Sequence, residues 1–116
     1  MTEEKIKTFL TRAVESLKSL DPVMILLFGS TAKDDTNEYS DIDFLIVLNS
    51  NHIPQSYEEK MELKMKVRKS LGDLNKKIPI DILVYTIPEY EELKKINSSF
   101  YREIHQSGKV VYEKAS

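Results

Sequence analysis

The sequence contains no cysteine in its 116 residues. This absence excludes thiolate zinc sites, thiol nucleophiles and a disulfide framework, and it is compatible with a reducing cytosol. No apolar run approaches the roughly 20 residues that span a bilayer, and residues 1–10 lack a basic region followed by an apolar one. We therefore expect a cytoplasmic protein that has no membrane partner.

A strong excess of one charge is also missing. The chain carries 17 basic and 19 acidic residues, mixed along its length, for a formal net charge of -2. No large positive field is available to draw the protein onto nucleic acid. Repeats, low-complexity tracts and linkers are absent too, and 41% hydrophobic content over this length suits one core. The sequence therefore predicts a single domain over residues 1–116.

Apolar residues follow helical and strand spacings in turn along the chain. Helical spacing from Ile6 predicts a first helix that ends before Asp21-Pro22. Further helices are predicted over about 57–74, after Pro88, and between a Ser98 cap and Gly108. Apolar runs predict four strands, over residues 23–28, 41–48, 78–86 and 109–113, the last at a sheet edge. This alternation predicts an α/β fold of two or three layers.

Three aspartates lie on the second and third predicted strands. Because side chains alternate along a strand, Asp41 and Asp43 project from one side, about 6.5 to 7 Å apart at Cα. If the third strand pairs beside the second, Asp81 can reach the same cluster. Three anions this close repel one another, so a cation lies between them or one carboxyl takes a proton. An all-oxygen cluster without His or Cys favours Mg²⁺, which completes its shell with water and substrate phosphates.

Gly29 and Ser30 follow the first strand directly. If residues 30–35 open a short helix, backbone N–H groups and the Ser30 hydroxyl form a ready site for a phosphate. Glycine permits close backbone approach there. A Gly-Ser turn or an Asp-x-Asp triplet alone is typical of ordinary structure. Their combination predicts a site for a nucleoside triphosphate and Mg²⁺.

The pattern Gly-Ser, ten residues, Asp-x-Asp and a later acidic residue resembles the minimal nucleotidyltransferases of the DNA polymerase beta-like superfamily. Here it is carried by Gly29, Ser30, Asp41, Asp43 and Asp81, and the likeness extends over nearly the whole chain. The resemblance implies an α/β fold with a mixed four-stranded sheet and flanking helices. It also implies an ATP-binding, Mg-dependent transferase that moves AMP from ATP, or the equivalent from another NTP, onto a hydroxyl and releases pyrophosphate.

The resemblance also implies a role for each residue of the pattern. Asp41 and Asp43 would hold two Mg²⁺ ions, and Asp81 would complete the metal site and help deprotonate the acceptor hydroxyl. Gly29 and Ser30 would hold the β and γ phosphates. Relatives of this size occur as antitoxins to helical HEPN-domain toxins, and some transfer AMP onto a tyrosine of that partner. A HEPN-type toxin is therefore the partner that the resemblance implies.

The segment after Gly-Ser departs from the family pattern. Many relatives carry a basic residue directly after it and a glycine a few positions on, whereas residues 31–35 read Thr-Ala-Lys-Asp-Asp. Lys33 is then the candidate cation for the nucleotide phosphates. Asp34 and Asp35 bring negative charge near those phosphates, and we interpret them as solvated residues at a helix terminus.

Other candidates favour structural roles or leave alternatives open. His52 and His105 have no partner at metal-ligand spacing and are interpreted as surface or packing residues. Tyr39 could stack on a base or simply pack, and the lysine-rich stretch 60–69 is interpreted as a solvated helix face. Two other functions stay open: a binding module that neutralises its partner by contact, and a small nucleotide or metal sensor.

Overall fold

The computed structural model describes residues 3–29 and 42–114. The elements are α1 (Glu3–Leu17), β1 (Pro22–Phe28), β2 (Ile42–Leu48), α2 (Tyr57–Leu71), α3 (Leu74–Lys77), β3 (Ile80–Tyr85), α4 (Ile87–Ile96), α5 (Ser99–Ser107) and β4 (Lys109–Glu113). A short 3₁₀ turn, Lys18–Leu20, joins α1 to β1. The predicted alternation of helices and strands is confirmed in the described ranges.

The four strands form one mixed sheet in the order β3-β2-β1-β4. Strand β1 pairs antiparallel with β2 and with β4, whereas β2 pairs parallel with β3. A parallel pair needs a long crossover, and the segment containing α2 and α3 supplies it. The mixed sheet agrees with the expected fold, and β4 lies at an edge as predicted.

Helices cover both faces of the sheet. Alternate strand residues, among them Ile25, Leu27, Phe44 and Ile46, pack in one buried cluster with residues of α1 and α2. The intervening residues Leu26, Leu45 and Val47 pack with Ile104 of α5, and α4 contributes partly buried side chains to this second cluster. Strands covered on both faces are apolar throughout, which explains the continuous runs in β1 and β2. The protein therefore has three layers.

Local sequence signals set most of the helix ends. The Ser98 hydroxyl accepts a hydrogen bond from the Tyr101 N–H at 3.2 Å, which confirms the predicted cap of α5. The prediction of one helix from Tyr57 to Leu74 is wrong, because α2 ends at Leu71. Gly72 then adopts a left-handed φ of 56° and interrupts the helix, and α3 begins two residues later.

None of the helices in residues 3–29 and 42–114 is both long and apolar enough to cross a membrane. The longest of them, α1 and α2, have 15 residues each. This is shorter than the stretch of about 20 residues that a membrane-spanning helix needs.

Candidate active site

The chain turns sharply at the end of β1, beside β2. Phe28 pairs with Asp43, and Gly29 follows with a φ of 81°, a conformation that favours glycine. A Cβ atom added to Gly29 would lie 2.3 Å from Oδ2 of Asp43. Two independent features therefore require glycine at this position: its positive φ and the close approach of the Asp43 carboxylate.

Asp43 and Asp81 are direct partners in the parallel pairing of β2 with β3. Their neighbours Ile42, Phe44 and Ile82 pack into the cluster beneath α1 and α2. Because side chains alternate along a strand, both aspartates project from the opposite face, on which α4 and α5 lie. Adjacent strands are about 4.8 Å apart. The two carboxylates can therefore reach a common point.

The pair lies at one end of the sheet, where β2 and β3 begin and β1 finishes. Asp43 is half-buried and Asp81 is exposed. Among the described residues, Gly29 therefore approaches the pair at β1, while Asp81 at β3 is accessible to solvent.

Two carboxylates without histidine or cysteine are suitable donors for a hard divalent cation such as Mg²⁺. In the two described ranges, no group of three or more His, Cys, Asp or Glu side chains is arranged to hold a metal ion. The predicted third carboxylate belongs to Asp41, which lies outside those ranges. The described pair fits part of a Mg²⁺ site, because oxygen atoms of water and substrate commonly supply the remaining ligands.

The structure describes three of the six predicted site residues and brings them together: Gly29, Asp43 and Asp81. Ser30, Lys33 and Asp41 lie outside the described residues, as do Tyr39, Asp34 and Asp35. Their assigned roles stay predictions. No sequence signal indicated the contact between Gly29 and Asp43, because that contact depends on the cross-strand register of β1 with β2.

The two histidines have the roles that the sequence indicated. His52 is 57% exposed at its side chain and pairs with Glu59 at the start of α2. The His105 ring on α5 lies with its Nε2 2.7 Å from the Tyr90 hydroxyl oxygen on α4. Burial raises the pKa of Tyr90 to about 12, so the phenol keeps its proton, and the tautomer of His105 decides which of the two groups donates. This contact links α4 to α5.

The sequence model of the family described as "Polymerase beta, Nucleotidyltransferase" matches residues 4–116. The chain belongs to this family. A protein of Methanocaldococcus jannaschii that carries the provisional name protein adenylyltransferase is 34% identical over 114 residues, covering 97% of this chain and 100% of the relative. The expected minimal nucleotidyltransferase is confirmed, and the protein is an enzyme of that class.

A solved structure supports the fold of this nucleotidyltransferase. One chain in a crystal structure of a toxin-antitoxin with AMP-PNP superposes with a TM-score of 0.50 and 17% sequence identity. The match covers 90% of this chain and 73% of the other. At this identity the likeness concerns the fold alone.

Proposed function

We propose that this nucleotidyltransferase moves AMP from ATP onto a hydroxyl of a partner protein, with Mg²⁺ bound and pyrophosphate released. The observation that carries the proposal is the direct register of Asp43 with Asp81, on one sheet face beside the Gly29 turn. The name of the M. jannaschii relative supports a protein as the acceptor. A HEPN-type toxin is the partner that we propose from the sequence resemblance.

Asp41, Asp43 and Asp81 would hold the metal ions, two in number. Bound there, Mg²⁺ would neutralise charge on the phosphates and stabilise the attacking and leaving oxygens. Asp43 is half-buried against the turn, so its carboxylate has restricted freedom and suits a ligand role. Asp81 is exposed, so an acceptor hydroxyl can reach its carboxylate.

In the proposed reaction, the acceptor oxygen forms a bond to the α phosphorus as the bond from that phosphorus to the β-phosphate oxygen breaks. The hydroxyl proton passes to the Asp81 carboxylate, and pyrophosphate leaves with the electron pair of the broken bond. Gly29 and Ser30 hold the β and γ phosphates, and Lys33 adds positive charge. General-base help from a carboxylate typically contributes about 10²- to 10⁴-fold in rate.

Transfer of label from α-labelled ATP tests the proposal. The reaction contains Mg²⁺ and the protein encoded beside this chain, and it compares the wild type with Asp43→Asn and Asp81→Asn. We expect each change to reduce the initial rate at least about 100-fold, because each removes charge from the site. Glu91→Gln is the matched control, since Glu91 is an exposed α4 carboxylate that pairs with Lys94; it should keep the wild-type rate.

Label transfer that survives in the folded Asp43→Asn/Asp81→Asn double variant would contradict the mechanism. If that variant transfers no label but still neutralises the partner as well as the wild type, neutralisation occurs by contact. That outcome would support the binding-module alternative. Far-ultraviolet circular dichroism verifies the fold of each variant.

A further inference from the structure

Helix α2 has two apolar stripes, and among the described residues one of them belongs to a buried cluster whereas the other is largely exposed. Leu63, Val67 and Leu71 form the inner stripe and join the buried cluster between α1 and the sheet. Tyr57, Met61 and Met65 form the outer stripe, with the i, i+4, i+8 spacing that aligns side chains on a helix. Tyr57 is 77% exposed and Met65 is 55% exposed. The outer side of a surface helix is usually polar, so this second stripe needs an explanation.

A groove continues the outer stripe at the C-terminal end of α2. It has a volume of about 660 Å³, and Met65, Arg68, Lys69 and Gly72 are among its lining residues. The end of α2 at Gly72, which carries no side chain, leaves this part of the surface open. The apolar stripe and the groove form one continuous surface, which we term the α2 surface.

The groove of the α2 surface is basic by one side chain, on a chain with a net charge of -2. Lys66, Arg68 and Lys69 line it together with Glu62 and Asp73. None of the three basic side chains forms an ion pair with a residue that the structure describes. An acidic ligand is therefore the electrostatic complement.

The position of the α2 surface relates it to the candidate active site. Strand β2 runs away from Asp43, and the crossover containing α2 returns the chain to the beginning of β3, where Asp81 lies. The groove at Gly72 therefore lies towards the end of the sheet that carries the two aspartates. A protein bound there and extending around the sheet end would place its own residues near Asp81.

We propose that the α2 surface docks the acceptor protein through an acidic amphipathic helix. An amphipathic helix in a groove places its apolar residues at i, i+3, i+4 and i+7, which suits the spacing of Tyr57, Met61 and Met65. Exposed methionines adapt to such partners. The basic residues are few and the chain is acidic, so the surface suits a protein better than nucleic acid. The identification of the bound protein as the acceptor rests on the proposed function.

Fluorescence anisotropy without nucleotide tests the docking surface by itself. The probe is a labelled synthetic helix with leucine at i, i+3, i+4 and i+7 and glutamate at most other positions. A helix with lysine in place of glutamate and a single-stranded RNA serve as comparison probes. We expect the acidic helix to bind at least tenfold more tightly than either. Equal binding of the lysine helix, or tighter binding of the RNA, would overturn the proposal.

A matched pair of charge reversals locates the binding. Arg68 and Lys69 lie in the last turn of α2, and Lys94 and Lys95 lie in the last turn of α4. Arg68→Glu/Lys69→Glu should raise the Kd for the acidic helix at least tenfold, whereas Lys94→Glu/Lys95→Glu should change this Kd less than twofold. Each variant replaces two basic residues by glutamate in the last turn of a helix. The change in net charge and the unfavourable interaction with the helix dipole are therefore the same in both. Equal weakening by the two would contradict a specific surface.

Met65→Ser tests the apolar part of the surface. Because Met65 is exposed, the change should leave the fold intact and raise the Kd for the acidic helix at least threefold. An unchanged Kd would remove the outer stripe from the proposal.

The transfer assay separates this inference from the proposed function. Asp43→Asn/Asp81→Asn should bind the acidic helix normally, because those residues lie outside the α2 surface. Arg68→Glu/Lys69→Glu should raise the KM for the protein acceptor with little change in kcat. If this variant modifies the acceptor at the wild-type KM, the docking inference fails and the proposed function stands. If the helix binds as expected but the wild type transfers no label, the proposed function fails and the docking surface stands.

Discussion

Two glycines with positive φ angles differ in how much room their surroundings leave for a side chain. Gly29 and Gly72 have φ angles of 81° and 56°. A Cβ on Gly72 would meet nothing within 4 Å, whereas one on Gly29 would lie 2.3 Å from the Asp43 carboxylate. The two positions therefore share a backbone requirement but differ in their relation to the candidate site, which makes them a natural matched pair.

We predict that Gly29→Ala lowers both the free energy of unfolding and the affinity for Mg²⁺. The left-handed conformation costs an alanine about 1 to 2 kcal/mol, and the new methyl group displaces the Asp43 carboxylate. Urea denaturation measures the first effect, and the Mg²⁺-dependent rise of the thermal midpoint measures the second. Gly72→Ala should also lower the free energy of unfolding, because Gly72 combines a φ of 56° with a ψ of -130°, and it should leave the response to Mg²⁺ unchanged. An identical Mg²⁺ response in both variants would show that Asp43 tolerates the displacement.

At the scale of residues, alternation along a strand predicted that Asp41 and Asp43 project from one side, whereas the sharing of a site with Asp81 depended on the condition that the third strand pairs beside the second. The parallel pairing of β2 with β3 brings Asp43 and Asp81 into register. The steric demand at Gly29 could not be predicted, because pairing between β1 and β2 decides it. The roles predicted for Ser30, Lys33 and Asp41 stay predictions.

At the scale of elements, one lysine joins a helix, a strand and a second helix. Lys60 of α2 donates hydrogen bonds to the Val84 carbonyl of β3 at 2.6 Å and to Glu89 of α4 at 2.8 Å. Its amine also lies 4.7 Å from the centroid of the Tyr85 ring. Glu89 in turn accepts a hydrogen bond from the Thr86 N–H in the capping box of α4. This group of side chains fixes α4 relative to the end of β3.

We predict that Lys60→Met destabilises the protein by about 1 to 2 kcal/mol, because it leaves partly buried acceptors without their donor. The measurement is the urea midpoint at a constant m-value. Lys76→Met is the control, since Lys76 and Asp73 form an ion pair whose side chains are 82% and 88% exposed. Exposed pairs contribute about 0 to 1 kcal/mol. A loss no larger than that of the control would count against the role of Lys60.

The cap of α5 provides a second test at this scale. Ser98→Ala removes the acceptor for the Tyr101 N–H and should cost about 1 kcal/mol, while Ser98→Asp should retain most of the stability. Ser107→Ala is the control, because the Ser107 hydroxyl only donates to the Glu103 carbonyl within the same helix. Chemical denaturation of the three variants decides whether the cap has the expected effect.

Helices and strands were largely predictable because caps, prolines and apolar runs are local signals. The exception is the junction of α2 and α3, where the apolar spacing that includes Leu63, Val67 and Leu71 continues to Leu74. The spacing predicted one helix, whereas Gly72 with its left-handed backbone ends α2. The sequence could not show which of these two signals prevails.

At the scale of the whole molecule, titrating groups connect distant parts of the chain. Asp21, just before β1, accepts hydrogen bonds from Lys114 after β4 and from Asn49 after β2. The bond from Lys114, followed by that from Asn49, holds the pKa of Asp21 below its ordinary 3.8. Burial, and then the charge of Lys94, hold the pKa of His105 below its ordinary 6.5.

We predict two separate losses of stability on acidification. A pKa lowered by folding means that the unfolded state binds the proton more readily, so stability is complete above the unfolded pKa and declines below it. The decline from His105 should begin as the pH falls through 6.5, and that from Asp21 as it falls through 3.8. Urea midpoints across pH 3 to 8 measure both. His105→Phe should remove only the upper step and Asp21→Asn only the lower one.

Finally, the strand order has a consequence for synthesis on the ribosome. Strand β1 is made early, yet one of its two neighbours in the sheet is β4, residues 109–113. Until those residues emerge, one edge of an apolar strand stays without its hydrogen-bonding neighbour. Nascent chains that stall before Gly108 should therefore be held by chaperones or degraded, because unpaired apolar strand edges promote aggregation.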